Sequence, residues 1–123
     1  MKRGFPAAAI RAALSRLIRA ELLDDLRFSQ AFVRERMKRR PMGRQGLLHE
    51  LLKRGVDEDA AKEAIAFVME EEGTDEVELA RRALRGGRNR TVKSIQNLLR
   101  RRGFDSEVIR IIMSSGDMEH DQR

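Results

Sequence analysis

Few residues in this sequence have both the type and the spacing needed for catalysis or metal binding. Asp24 and Asp25 form an adjacent acid pair, but neighbouring side chains on a helix point about 100° apart, so the two carboxylates are poorly placed to share one proton. Acids are favoured at the start of a helix, which makes a helix cap the better interpretation. His49 and His120 lie far apart without a cluster of acids, and they predict no metal site.

Motifs that would indicate an enzyme are also missing. There is no cysteine, which excludes a thiolate ligand, a cysteine nucleophile and a disulfide. The sequence contains no phosphate-binding loop or dinucleotide fingerprint. Gly43-Arg44-Gln45-Gly46 has the GxxG spacing of a KH-domain loop, but that module needs adjacent strands, so we interpret this segment as a connection between helices. We therefore expect no enzyme activity and no cofactor.

Two runs of basic residues are the best candidates for a binding surface. One surrounds Pro41 and the other surrounds Gly86-Gly87, and arginine suits forked contacts with phosphate or carboxylate. Cations near the end of a helix are also common for structural reasons, so a solvated face remains an alternative. With no Trp or Tyr available for base stacking, any nucleic-acid binding is expected to be electrostatic and independent of base sequence. The predicted basic surface consists of Arg34, Arg36, Lys38, Arg39, Arg40, Arg44, Arg81, Arg82, Arg85, Arg88, Arg90, Lys93 and Arg101.

Charge is strongly segregated along the chain. Residues 1–54 contain 14 Lys or Arg against 5 Asp or Glu, whereas residues 55–78 contain 1 against 10. Residues 79–123 are basic again, with 11 against 5. Two basic blocks around an acidic one indicate oriented binding to a polyanion or to a protein surface with its own charge pattern.

Apolar residues recur at helical spacing throughout, and they predict an all-α chain of about seven helices. Ile10, Leu14 and Leu17 mark one face of the first helix. We expect a second helix to open at Asp24-Asp25, with Phe28, Ala31 and Phe32 turned inward, and to end before Pro41. Two later helices are expected to be capped by Asp57 and Asp105.

One type of turn occurs three times, at residues 2–6, 54–57 and 102–105, each with a glycine followed by an apolar residue. The glycines are 51 and 48 positions apart, which predicts tandem three-helix repeats of about 50 residues. On this basis residues 1–22 are the last helix of a truncated first repeat. Residues 23–73 and 74–115 are the second and third repeats, and residues 116–123 are a disordered tail.

These segments, taken in order, resemble the RecX family. The resemblance is carried by Leu22-Leu23-Asp24-Asp25-Leu26-Arg27-Phe28, Ala31-Phe32-Val33-Arg34-Glu35-Arg36, Pro41-Met42-Gly43-Arg44, Leu51 through Arg54-Gly55-Val56-Asp57, and Leu99 to Phe104. Together they cover nearly the whole chain, from Gly4 to about Met113. About two helices of the first repeat of the family are absent, and the apolar face exposed by this truncation is free to pair with another chain.

The resemblance implies tandem three-helix repeats and a regulator that is not an enzyme. Such a protein would bind RecA, lie in the groove of the RecA filament on single-stranded DNA, and reduce its recombinase, ATPase and coprotease activities. We further expect a cytoplasmic monomer with weak non-specific DNA binding, no metal and no membrane segment. A free-standing, non-specific DNA-binding helical protein is the alternative.

Overall fold

The computed structural model describes residues 6–85, 87 and 90–115, and within these ranges all regular structure is helical. The prediction of an all-α chain is therefore confirmed. The helices are α1 (Ala7–Arg39), α2 (Arg44–Lys53), α3 (Glu58–Glu72), α4 (Glu76–Leu84), α5 (Val92–Arg101) and α6 (Ser106–Met113). Two predicted features, Arg88 and the tail at residues 116–123, lie outside the described residues.

The helix α1 continues through the position at which the sequence predicted a boundary. The two expected helices form one helix of 33 residues, so six helices replace the predicted seven. The sequence of α1 contains neither Gly nor Pro, so nothing interrupts its backbone hydrogen bonds. Asp25 does not open a helix, and its Oδ2 instead accepts the Asp57 N–H at 3.1 Å. The predicted division between residues 22 and 23 thus lies inside α1.

The turns that end α2 and α5 have the same conformation. Gly55 and Gly103 have φ values of 84° and 81°, in the left-handed region that favours glycine. The next residues, Val56 and Phe104, are buried and donate their N–H groups back to carbonyls five residues earlier, at 3.1 and 3.0 Å. This hydrogen bond closes the helix end. Sequence and structure therefore agree on this turn at two of its three predicted positions, and residues 2–5 of the third lie outside the described residues.

Asp57 and Asp105 cap the helices that follow these turns. Each side chain accepts the backbone N–H of the residue three positions on, at 3.0 and 2.9 Å. Replacing either aspartate with alanine is expected to lower the free energy of unfolding by about 1 kcal/mol, since a helix donor loses its partner. Urea unfolding followed by circular dichroism measures this change. Asp24→Ala is the control, because Asp24 is exposed inside α1, and an equal loss there would contradict the capping roles.

The inward face of α1 differs from the predicted one. Ser29, Val33 and Met37 are buried at intervals of four residues, whereas Phe28 is 47% exposed and Ala31 is also exposed. The prediction for these last two residues is wrong, because the contact with α3 selects the neighbouring face of the helix. Phe32 is half-buried, and its ring lies under two arginine side chains.

Two groups of three helices share one hydrophobic core. The second half of α1 packs with α3, which also contacts α2, while α4 and α5 pack on α6. Leu47 and Leu51 from the first group and Leu79 and Leu99 from the second are fully buried in the same cluster. The core accordingly joins both groups into one body.

Three glycines allow the two groups to touch through their backbones. The Gly43 N–H donates to the Arg102 carbonyl at 2.9 Å, and the Gly46 N–H donates to the Gly103 carbonyl at 3.3 Å. A methyl group added at Gly46 would lie 2.5 Å from the Arg102 carbonyl oxygen, which is closer than real contacts allow. The GxxG segment connects two helices, as predicted, and it also docks the first group on the second.

A carboxylate of the second group of helices also contacts the start of α2 in the first group. Glu76, near the start of α4, accepts the Arg44 backbone N–H at 3.0 Å and lies 3.5 Å from its Nε. It therefore serves as the cap that Gly43, without a side chain, does not provide for α2. Burial raises the pKa of Glu76, and the hydrogen bond from Arg44 opposes this rise.

Candidate partner-binding surface

Most cations of the first basic run are paired with carboxylates of the chain itself. Arg34 donates from Nε and Nη2 to Oε1 of Glu71, at 3.0 and 2.8 Å. Arg39 lies 2.6 Å from Glu35, one helical turn away. Such exposed pairs contribute little to stability, but each partly neutralises a charge that the sequence offered to a ligand.

Arg36 lies in a mixed cluster rather than on a free surface. Its guanidinium and that of Arg54 both stack on the Phe32 ring, each 4.7 Å from the ring centroid. Glu50 lies 4.0 Å from Arg36 and 2.8 Å from Arg54. The hydrogen bond from Arg54 lowers the pKa of Glu50. Through these contacts, Arg36 helps to pack α1 against α2.

In the second basic run, three arginines lie close to the Glu78 carboxylate. Arg81, Arg82 and Arg85 lie 4.0, 3.4 and 3.3 Å from oxygen atoms of Glu78. Each of these three predicted binding residues therefore contacts a carboxylate of the chain itself. Lys93 is exposed at the start of α5.

The structure brings four other arginines together where the two groups of helices meet. Arg40 follows the end of α1, Arg90 precedes α5, and Arg101 and Arg102 lie at and just after the end of α5. We call these four residues the junction cluster. In the described part of the chain, no carboxylate forms an ion pair with any of them.

Arg102 anchors the junction cluster in the protein. It is half-buried, and its Nη1 donates to the Pro41 carbonyl at 3.2 Å. Burial lowers the pKa of Arg102, and the positive charges of Arg40, Arg101 and Arg90 lower it further. An arginine remains charged despite such a shift, so these guanidinium groups repel one another unless an anion lies between them.

The Arg90 side chain has an unused donor. It is partly buried, and its Nε is shielded from solvent without a hydrogen-bond partner among the described residues. Carboxylate and phosphate oxygens are the acceptors that match arginine most closely. The junction cluster is therefore a candidate site for an oxyanion group, which would contact its exposed members Arg40 and Arg101.

Sequence reasoning identified three members of this cluster and missed Arg102. That residue was assigned only to the turn at residues 102–105. Its position directly after Arg101 at the end of a helix was the available signal, since adjacent helical residues point in different directions. Only the contact with Pro41 shows that it faces the junction.

Other kinds of site find no support in the described residues. They contain no group of three or more potential metal ligands among His, Cys, Asp and Glu. None of the described helices has the length and apolar character needed to cross a membrane. The junction cluster is thus the best candidate for a functional surface.

Comparison with known proteins agrees with the sequence resemblance. The family model for the second three-helix domain of RecX matches residues 24–65. Regulatory protein RecX of Treponema pallidum (strain Nichols) is 36% identical over 112 residues, which cover 89% of this chain and 67% of the relative.

Two further relatives agree with this result. Regulatory protein RecX of Prosthecochloris aestuarii is 34% identical over 110 residues, with 89% of this chain and 73% of the relative covered. The Thermobifida fusca protein of the same name is 33% identical over 111 residues, with 85% and 60% covered. No solved structure matches. Identity at this level over most of both proteins shows that the chain belongs to the RecX family of regulatory proteins.

Proposed function

We propose that the protein binds the RecA nucleoprotein filament on single-stranded DNA and reduces its recombinase, ATPase and coprotease activities. It would act in the cytoplasm by occupying a surface, not by catalysis. The observation that carries this proposal is the junction cluster, four arginines without a carboxylate partner in the described residues. Family membership supplies the class of partner.

The charge pattern suits a ligand that approaches from one direction. The junction cluster would contact DNA phosphates or acidic side chains of the filament. By contrast, α3 has Glu58 and Asp59 in its first turn and no basic residue in its last turn, so DNA would repel it. This separation of charge favours one orientation of the protein on a polyanion.

The direct experiment is ATP hydrolysis by RecA on single-stranded DNA, measured with and without this protein at several salt concentrations. We expect inhibition that weakens as salt rises, since ionic contacts are screened. If hydrolysis is unchanged while the protein binds DNA tightly without RecA, the proposal is wrong. That outcome would support the alternative function, a free-standing non-specific DNA-binding protein, which the same cluster would also allow.

A further inference from the structure

Each group of helices has an open groove between its second and third helices. The first groove lies between α2 and α3, and its lining includes Arg44, Leu48, Lys62 and Ile65. The second groove lies between α5 and α6, and its lining includes Gln96, Arg100, Ile109, Arg110 and Met113. Their volumes are similar, about 310 and 280 Å³. The two grooves therefore occupy corresponding places in the two groups.

The correspondence extends to individual residues. The helices α2 and α5 begin 48 positions apart, and so do α3 and α6. At this offset three positions line both grooves, and the pairs are Leu48 with Gln96, Lys62 with Arg110, and Ile65 with Met113. These positions come from both walls of each groove. The repeat of the sequence has thus produced the same groove twice.

A neighbouring group of helices does not cover this groove. The first groove is open although the second group follows the first and packs on it, and the second groove is open although the first group precedes it. A further group that packed in the same way, before or after these two, would leave both grooves open. Open grooves are accordingly a property of the repeat and do not depend on the ends of the chain.

Both grooves have an apolar floor and a basic rim. The floor packs on the hydrophobic core and consists of Leu48 and Ile65 in the first groove, and Ile109 and Met113 in the second. All the charged residues that line them are cations, namely Arg44 and Lys62 in the first groove, and Arg100 and Arg110 in the second. A complementary occupant has an apolar side chain with negative charge beside it.

The carboxylates of the chain hold these cations only weakly. Lys62 lies 3.0 Å from Glu58, one turn earlier on α3, and both side chains are more than half exposed. Arg110 is paired in the same way with Glu107 on α6, and Arg44 also contacts a carboxylate of α4. Exposed pairs within one helix contribute about 0.3–0.5 kcal/mol. A carboxylate of a partner can therefore replace Glu58 or Glu107 at small cost.

We propose that the two grooves bind the same segment of two identical subunits of a partner, an acidic segment that inserts one apolar side chain. This inference rests on the proposed function, in which the partner is a filament of identical RecA subunits. A chain that offers one groove twice matches a partner that offers one segment twice. Volumes of about 300 Å³ lie at the lower end of the range for binding pockets, so each groove accepts a side chain and not a whole helix.

Two such contacts reinforce one another. One groove buries a small area, so a single contact is weak. The shared core joins both groups into one body, and binding at one groove therefore holds the other close to the next subunit. Linked contacts of this kind can exceed the affinity of either alone by about 10²–10⁴. Loss of either groove should consequently remove most of the gain.

Co-sedimentation with RecA filaments on single-stranded DNA tests this expectation. Lys62→Glu and Arg110→Glu are each expected to weaken filament binding by at least about tenfold, with the helical circular dichroism of the wild-type protein. Lys53→Glu is the matched control, because Lys53 is an exposed cation of α2 that lines neither groove. It makes the same change in charge and should bind almost as the wild-type protein does.

The outcomes separate the two proposals. Wild-type protein that does not bind filaments would overturn both the proposed function and this inference. Filament binding that is unchanged in either groove variant, or weakened equally in the control, would leave the proposed function standing and overturn the paired grooves.

Cross-linking tests whether both grooves contact the same segment. The natural chain has no cysteine, so a photoreactive thiol label can be attached at Glu58→Cys or at Ser106→Cys, which are equivalent exposed positions at the starts of α3 and α6. Both labels are expected to react with one RecA segment in which acidic residues flank an apolar one, and a label at Lys53→Cys should not. Reaction with two different segments, with DNA or with a second copy of this chain would overturn the proposal.

Discussion

Replacing Gly103 with alanine is expected to lower the free energy of unfolding by about 3–5 kcal/mol. Part of this loss is the cost of a left-handed conformation in a residue with a side chain, since φ is 81°. The larger part comes from the junction between the helix groups. The new methyl group would lie 2.1 Å from the Gly46 backbone nitrogen, so the two backbones would have to separate and lose their hydrogen bonds.

Gly55→Ala is the matched control for this prediction. Gly55 ends α2 in the same turn with φ 84°, but an added methyl group meets nothing within 4 Å. Only the conformational cost of about 1–2 kcal/mol should remain. The difference between the two variants therefore isolates the contact between the groups.

Gly46→Ala provides a second comparison, because alanine at an unhindered helix position would be expected to stabilise the protein. Gly46 lies inside α2, where alanine normally stabilises a helix by about 1 kcal/mol. We expect destabilisation instead, because the methyl group would overlap the Arg102 carbonyl. Urea unfolding followed by far-ultraviolet circular dichroism measures all three variants. Equal losses for Gly103→Ala and Gly55→Ala, with a stabilised Gly46→Ala, would show that the groups do not pack through this contact.

The features of the fold that could be predicted from sequence are those set by local signals. Gly55 and Gly103 end helices because glycine adopts positive φ, and Asp57 and Asp105 cap the next helices through their own side chains. The continuity of α1 was missed because Asp24-Asp25 resembles a cap, although no helix-breaking residue accompanies it.

The binding surface was harder to predict, because pairing between distant residues decides which cations remain free. Arg34 looked available in the sequence, but the fold places it against Glu71, 37 positions away. The members of the junction cluster were unrelated in the sequence, since Arg40 and Arg102 belong to different groups of helices that the glycine contact joins. The positions of the arginines in the sequence indicate neither the pairing of Arg34 with Glu71 nor the formation of the junction cluster.

Reversing two charges of the junction cluster, in the double variant Arg40→Glu and Arg101→Glu, is expected to weaken binding to single-stranded DNA by more than about tenfold at low salt. Both residues are exposed and their replacement should leave the fold intact. Each phosphate contact contributes about 0.7 to the slope of log affinity against log salt, so the slope should fall by about 1.4. Fluorescence anisotropy with a labelled oligonucleotide measures both quantities.

The control double variant is Arg39→Glu and Arg85→Glu. It changes the net charge by the same amount, but both of its arginines are already paired with carboxylates. We expect a much smaller loss of affinity, produced by net charge alone. If the two double variants lose affinity equally, binding follows net charge and the junction cluster has no special role.

The most direct test of the proposed function compares these proteins as inhibitors of RecA. ATP hydrolysis by RecA on single-stranded DNA is measured while the concentration of wild-type protein, junction variant or control variant is raised. We predict that wild-type protein and the control variant inhibit at similar concentrations, and that the junction variant needs at least about ten times more. Full inhibition by the junction variant at the wild-type concentration would contradict the binding role of the cluster, and a lack of inhibition by the wild-type protein would contradict the function itself.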